Sequence, residues 1–177
     1  NSQLWTFTIL PDREAVLAVA RETMVFFEEL NRSAERAWLR QGLRLLGKPE
    51  LARYHAEYYE RIKDGIAEFR SSGRERLFHG APAAILIGSL PGATTPAEDA
   101  LLATQNILLG AHAMGLGTCL IGFVVAAAQR RPAIKVRAGM PAGEPLYAVI
   151  ALGTPAETYL RSCGRSAPLI RVTRAGG

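Results

Sequence analysis

The stretch that decides the fold begins with an uninterrupted apolar run, Ala83-Ala84-Ile85-Leu86-Ile87-Gly88. A run of this length is typical of a strand that is buried on both faces. After a Pro91-Gly92 turn, the sequence Thr95-Pro96-Ala97-Glu98 has the residues of a capping box, with proline at the first helical position and glutamate three residues after the threonine cap. The helix is predicted to cover residues 96–114, and its largely apolar surface predicts a central position in the fold.

The flanking segments predict an α+β fold. Downstream we expect a short strand at 118–121, a polar connection with some helix at 129–140, and a buried strand at 146–152. Upstream we expect a strand at 5–10 and then helices at about 12–30, 34–46 and 49–70. Because no strand separates these helices, the pattern favours one sheet flanked by helices over a doubly wound nucleotide-binding fold.

The composition describes one globular domain. The 177 residues are 49% apolar and 21% charged, and a chain of this length can bury a sizeable core. Its apolar runs are shorter than the roughly 18 residues that a membrane span needs. Two cysteines, Cys119 and Cys163, are too few for a disulfide framework. We therefore expect a cytoplasmic protein without a membrane association.

The net charge of +5 is unevenly distributed. Residues 1–77 carry 13 basic and 12 acidic side chains, whereas residues 78–177 carry 8 basic and 4 acidic ones. This excess in the second part indicates a local anionic ligand. The densest basic cluster lacks the interleaved aromatic residues of a single-strand nucleic-acid groove, so we expect no nucleic-acid partner; the cluster consists of Arg130, Arg131, Lys135 and Arg137.

The chain offers no self-sufficient catalytic side-chain set. None of its three histidines has a partner at metal-ligand spacing, so we expect no metal site, and His112 on the apolar helix is expected to be a hydrogen-bonded core residue. The glycines of Gly115-Leu116-Gly117 follow a helix and precede a strand, which is the reverse of the order in a phosphate-binding loop. If the protein is an enzyme, a bound cofactor carries the chemistry.

Three segments together resemble the FMN-dependent nitroreductase family. The first is Asn1-Ser2-Gln3-Leu4-Trp5, where Leu4 replaces the family's usual proline. The second runs from Gly80-Ala81-Pro82 through the predicted strand and helix to Gly122-Phe123. The third comprises Gly139-Met140-Pro141, the strand 146–152, Gly153-Thr154-Pro155 and an arginine-containing tail. This last segment is most similar to the branch in which a ferredoxin-like iron–sulfur domain precedes the nitroreductase domain.

The resemblance implies one FMN-binding domain over residues 1–177, N-terminally incomplete, with residues 31–77 as a helical insertion. It implies that Asn1 and Gln3 hydrogen-bond the polar part of the flavin, and that Leu120, Ile121 and Gly122 line the isoalloxazine edge, with a backbone N–H donating to flavin N5. Arg165, and second Arg161, would bind the FMN phosphate through charge-assisted bonds. For both arginines, the alternative interpretation is an ordinary exposed position in the tail.

The resemblance also implies a homodimer in which C-terminal segments embrace the partner subunit, and the apolar tail at 159–172 is compatible with such an arm. The helices of 31–77 would then cover the substrate side of the flavin. Trp38, Tyr54 or Tyr58 would shape the pocket, although ordinary core packing is the alternative for these aromatic residues.

The function that follows is an FMN-dependent oxidoreductase. NAD(P)H, or an iron–sulfur donor, would reduce the flavin, which passes electrons to a nitroaromatic, quinone or enone-like acceptor. One alternative keeps the fold and the flavin but uses them for flavin fragmentation, dehalogenation, oxidation or storage. Another is a binding or regulatory module without a cofactor.

Overall fold

The computed structural model describes residues 2–157, 160, 164 and 166–172. Four strands and seven helices are present in these residues. Their order along the chain is β1 (Trp5–Leu10), α1 (Arg13–Glu35), α2 (Ala37–Leu45), α3 (Glu50–Glu57), α4 (Tyr59–Ser72), β2 (Ala83–Ser89), α5 (Pro96–Ala113), β3 (Gly117–Leu120), α6 (Gly122–Ala128), α7 (Ala133–Arg137) and β4 (Leu146–Gly153). The predicted strands are all found within one or two residues of their expected bounds.

The strands form a single antiparallel sheet in the order β1-β2-β4-β3. The two apolar runs lie at its centre, with Ile85 opposite Ile150 and Leu86 opposite Val149. Strands β1 and β3 form the two edges. This placement explains the uninterrupted apolar sequences of β2 and β4, because a central strand covered on both faces has no solvent-facing position.

Helices cover both faces of the sheet. Side chains of alternating residues on β2 and β4 pack beneath α1, α6 and α7, where Val16, Leu86 and Val149 are almost fully buried. The opposite set, including Ile87 and Ile150, packs against α5. The predicted α+β architecture, one sheet flanked by helices, is confirmed.

Helix α5 differs in detail from its prediction. It begins after Thr95 with proline in the first turn, but the Thr95 side chain does not cap it. The Thr95 hydroxyl instead donates to the Asp99 carboxylate at 3.4 Å. Only one side of α5 packs on the sheet, and Leu102, Leu109 and His112 are exposed on the other. The prediction that His112 is a core residue is therefore wrong.

Helices α2, α3 and α4 form a layer over α1, within the segment 31–77. The expected single helix over 49–70 is interrupted at Tyr58, whose φ of −124° ends α3. The interruption buries Tyr59, whose hydroxyl donates to Glu35 at 2.7 Å, and leaves Tyr58 half-exposed beside α6.

The basic cluster is largely used for packing. Arg131 donates to Glu22 on α1 at 2.6 Å and pairs with Glu29 at 3.1 Å. Lys135 is buried and donates to the Glu144 carbonyl oxygen at 2.7 Å. Two of the four cations thus hold α7 and its flanking turns against the rest of the domain. Within the described residues, none of the helices is both long and apolar enough to cross a membrane.

Candidate functional site

Strand β3 delivers the backbone of Leu120, Ile121 and Gly122 to one edge of the sheet. The Ile121 N–H donates to the Val149 carbonyl oxygen at 2.8 Å, and the Ile121 side chain is buried in the core. Because N–H groups alternate in direction along an antiparallel ladder, the Leu120 N–H points away from β4. The Leu120 side chain is 55% exposed.

Gly122 begins α6, so its N–H has no acceptor within the helix. A Cβ atom at this position would meet no other atom within 4 Å. Among the three residues predicted to line the flavin edge, the Ile121 N–H is therefore already bonded to β4. The Leu120 N–H points away from the sheet, and the Gly122 N–H lies at the start of α6. A flat ring can approach this backbone closely.

A cavity of about 420 Å³ lies against this backbone. Its floor is formed by residues 120–123, and its opposite wall consists of Tyr58, Leu77 and His79. Within the part of the chain that the structure describes, the walls are mainly apolar and aromatic. Such a lining suits a planar, weakly polar ligand.

Aromatic rings connect the cavity to the helical layer. The Phe123 ring meets those of Phe27 and Tyr58 edge to face, with centroids 5.6 and 5.7 Å apart. Tyr54 stacks between Phe27 and Tyr58 at 6.4 Å from each. These contacts fix Tyr58 over the cavity, while Tyr54 packs into the core, and Trp38 lies outside both, 69% exposed.

The segment that contains Leu77 and His79 is held by an ion pair between Glu75, which is buried, and Arg13, whose side chain is 34% exposed. Both terminal nitrogens of Arg13 lie 3.2 Å from Glu75 Oε2, and the other Glu75 oxygen accepts from the Phe78 N–H. The Glu75 side chain is only 4% exposed. The chain then turns at His79 and Gly80, where φ is 55° and 77°, and the Ala81 N–H closes the turn on the Phe78 carbonyl oxygen.

The other predicted site residues lie elsewhere or are not described. Gln3 precedes β1, at the opposite edge of the sheet from β3, and is exposed with a φ of 50°. Three strand spacings, roughly 14 Å, separate these two edges. Asn1, Arg161 and Arg165 fall outside the described residues. Among the residues that are described, no three His, Cys, Asp or Glu side chains are arranged to hold a metal ion.

The cavity residues Leu77, His79 and Phe123 were not assigned to the site from the sequence. Each is an ordinary residue in a loop or a short helix, and each reaches the cavity through contacts between distant segments. Only the position of Phe123 directly after Gly122 could have drawn attention to it.

Two tyrosines near the cavity have a raised pKa. Burial, and the nearby Tyr59, raise the pKa of Tyr54 above its ordinary value of 10.0, and the Tyr54 hydroxyl donates to Asn31 at 2.6 Å. The hydrogen bond to the Glu35 carboxylate raises the pKa of Tyr59.

These shifts predict a loss of stability in alkali. Above about pH 10 the unfolded chain releases tyrosine protons that the folded chain retains, so the free energy of unfolding decreases as the pH rises further. Urea titrations between pH 9 and 11 measure how steeply the free energy of unfolding decreases with pH. We expect this decrease to be shallower in Tyr54→Phe. An identical slope in the variant and the unchanged protein would contradict the prediction.

Comparison with protein families matches residues 1–154 to the Nitroreductase family. The chain belongs to this family. The match includes β1 to β4 and the cavity at 120–123, so the fold and the candidate site both lie within it. Comparison with curated protein sequences gives no match.

Solved structures share the fold. A nitroreductase with bound FMN from Bacteroides fragilis has a TM-score of 0.58 and 15% sequence identity, and the match covers 97% of this chain and 76% of the Bacteroides chain. Iodotyrosine deiodinase bound to FMN and 3-iodo-L-tyrosine has a TM-score of 0.55 and 19% identity, covering 98% and 78%. An FMN-dependent nitroreductase from Mycobacterium smegmatis in complex with NADPH has a TM-score of 0.53 and 16% identity, covering 88% and 70%. At these identities the likeness concerns the fold.

Proposed function

We propose that this nitroreductase-family protein is an FMN-dependent oxidoreductase that passes electrons from NAD(P)H to a nitroaromatic, quinone or enone-like acceptor. The observation that carries the proposal is the backbone of Leu120 and Gly122 at the cavity, where the Leu120 N–H points away from β4 and Gly122 has no Cβ to stand in the way of a flat ring. The FMN-bound structures of the same fold support it.

The residues at the cavity fit a flavin. Leu120, Ile121 and Gly122 line its ring edge, and the N–H groups of Leu120 and Gly122 are the ones able to donate to it. Phe123 and Tyr58 border the same space. Gln3 and Asn1 offer amides for the polar part of the ring, and Arg165 or Arg161 binds the phosphate. When bound, FMN supplies hydride transfer, and for this reason the chain needs no nucleophile of its own.

The protein's own contribution is to bind and position the ring. The overall exchange balances without a catalytic side chain: a quinone, NAD(P)H and one proton give the hydroquinone and NAD(P)+. Among the described lining residues, His79 and Tyr58 carry an exchangeable side-chain proton. The other described lining residues are apolar.

We further propose that the protein is a homodimer and that each site uses both subunits. Gln3 and Gly122 belong to opposite edges of the sheet, so a single chain cannot bring both to the same ring edge. The outer face of α5 leaves Leu101, Leu102 and Leu109 exposed. Leu169, Ile170 and Val172 of the tail are exposed as well, which suits an arm that packs on a partner.

A charge on the outer face of α5 tests this assembly. Leu102→Glu is expected to convert the dimer to a monomer and to reduce FMN retention at least tenfold, because a buried unpaired carboxylate is costly at an apolar interface. Light scattering after size exclusion, with flavin absorbance measured on the same peak, gives both quantities. A monomeric unchanged protein, or a dimeric Leu102→Glu variant that retains FMN, would contradict the proposal.

The remaining parts of the proposal concern organisation and location. Residues 1–177 form one FMN-binding domain with 31–77 as a helical insertion, supported by the packing of Tyr54, Ile62 and Ile66 against the common core. The exposed free thiol of Cys119 suits a cytoplasmic location. An iron–sulfur donor from a ferredoxin-like domain would take the place of NAD(P)H as the source of electrons. The flavin and the acceptor would be the same.

The fold of iodotyrosine deiodinase favours one second candidate, a reductive dehalogenase using the same flavin. Both functions predict a bound flavin, and the acceptor distinguishes them. Oxidation of NADPH and NADH, followed in the presence of a quinone, a nitroarene or a halophenol, tests the proposed function. Turnover with the quinone or the nitroarene supports it, whereas halide release alone would favour the second candidate.

A further inference from the structure

A second and larger cavity adjoins the one at residues 120–123. Its volume is about 620 Å³, and it lies between α1 and α4, with Thr23 and Phe27 on one side and Ile62 and Phe69 on the other. Four residues line both cavities, namely Tyr58, Leu77, His79 and Phe123. The two spaces are therefore neighbours across a shared aromatic and apolar boundary.

The charged residues of the larger cavity are mostly neutralised by partners. Arg74 lies 3.2 Å from Glu68, Arg76 also pairs with Glu68, and Glu75 is bound by Arg13. Arg61 and Asp64, of opposite sign, line the cavity one turn apart on α4. The remaining lining is chiefly apolar, so the space suits an uncharged ligand.

We propose, resting on the function proposed above, that this larger cavity is the distal half of the acceptor site. The protein then acts on elongated, uncharged aromatic acceptors of more than one ring. Their reducible group lies against the flavin ring that residues 120–122 border, and the distal ring enters the space between α1 and α4. Each cavity has the volume usual for a pocket that takes a small organic ligand.

Gly65 makes this arrangement testable. It lies on α4 between Ile62 and Phe69, lines the larger cavity, and does not line the smaller one. A Cβ atom there would meet no other atom within 4 Å. A leucine is a better helix former than glycine, so Gly65→Leu is expected to fill the distal space without disturbing the fold.

The experiment compares nitrobenzene with 4-nitrobiphenyl, which carry the same reducible group and differ by one ring. Nitro reduction to the nitroso compound consumes one NAD(P)H and one proton, breaks one N–O bond and releases water. We expect Gly65→Leu to lower kcat/KM for 4-nitrobiphenyl at least tenfold, equivalent to about 1.4 kcal/mol, with nitrobenzene changed less than about twofold. Gly42→Leu is the matched control, because Gly42 lies on α2, outside both cavities, and has equal room for a side chain.

A binding measurement separates this inference from the proposed function. Calorimetric titration with 4-hydroxybiphenyl needs neither flavin nor turnover, and Gly65→Leu, but not Gly42→Leu, is expected to weaken its affinity at least tenfold. Equal affinities in the unchanged protein and Gly65→Leu, equal losses for both nitro compounds, or loss of FMN from Gly65→Leu would overturn the inference. A protein that binds 4-hydroxybiphenyl in the larger cavity but oxidises no NAD(P)H would contradict the proposed function alone.

Discussion

Gly122→Val is expected to fold normally and to bind FMN at least about a hundredfold more weakly, equivalent to roughly 2.7 kcal/mol. The chain itself has room for the new side chain, since a Cβ at Gly122 would meet no atom within 4 Å. The added methyl groups occupy the space in which the flavin ring edge is proposed to lie. Fluorescence titration of free FMN with the protein measures the loss.

Thermal unfolding provides the control for this variant. Without FMN, Gly122→Val and the unchanged protein are expected to unfold at similar temperatures. With FMN at about a hundred times its Kd, only the unchanged protein gains about 2.7 kcal/mol of stability. Gly42→Val places the same side chain on α2, away from the cavity, and should bind FMN normally. Unimpaired FMN binding by Gly122→Val would exclude the proposed ring position.

Glu75→Ala is expected to lower the free energy of unfolding by about 3 kcal/mol. Its carboxylate is buried and holds both Arg13 and the Phe78 N–H. Its removal takes from Arg13 its ionic partner, leaving the bond to the Ala81 carbonyl oxygen, and leaves the buried Phe78 N–H without an acceptor. In a chain of this size the change corresponds to a decrease in Tm of roughly 6–12 °C. Urea unfolding at pH 7 gives the value directly.

Glu75→Gln is the matched control, because its amide oxygen can still accept from the Phe78 N–H. We expect it to lose about half as much stability as the alanine variant. The two Glu75 variants also test the cavity wall, since Leu77 and His79 lie in the segment that Glu75 anchors. A change below about 0.5 kcal/mol in Glu75→Ala would show that this ion pair does not hold the segment.

The strands and the fold class could be predicted because their signals are local. The apolar runs at 83–88 and 146–152 specify central strands wherever they occur in the chain. The pairing order β1-β2-β4-β3 is not encoded in any one segment, and it depends on which strands find each other across distant parts of the sequence. It follows from the family and from the structure.

Two predictions from the sequence, the unbroken helix at 49–70 and the buried position of His112, are wrong for the same physical reason. A single helix was expected over 49–70, but it is interrupted at Tyr58, where Tyr59 donates a hydrogen bond to Glu35 and Tyr58 contacts Phe123. His112 lies on a helix that is apolar on two sides, only one of which packs on the sheet. Tertiary contacts decided both cases, and no local pattern reports them.

The candidate site was only partly accessible from the sequence. Resemblance placed Leu120, Ile121 and Gly122, since that motif is continuous in the chain. It could not reveal that the Ile121 N–H is bonded to Val149, nor that Leu77 and His79 form the facing wall. Those features arise where segments that are distant in the sequence meet: residues 121 and 149 are 28 positions apart, and residues 79 and 120 are 41 apart.

The visible spectrum of the purified chain, incubated with FMN and then separated from free FMN, tests the central claim most directly. The account predicts that flavin absorbance stays with the protein and is bleached by NADPH or NADH in the absence of oxygen. It also predicts that adding a quinone restores the oxidised spectrum. A chain that emerges colourless after incubation with FMN, although folded, would contradict it.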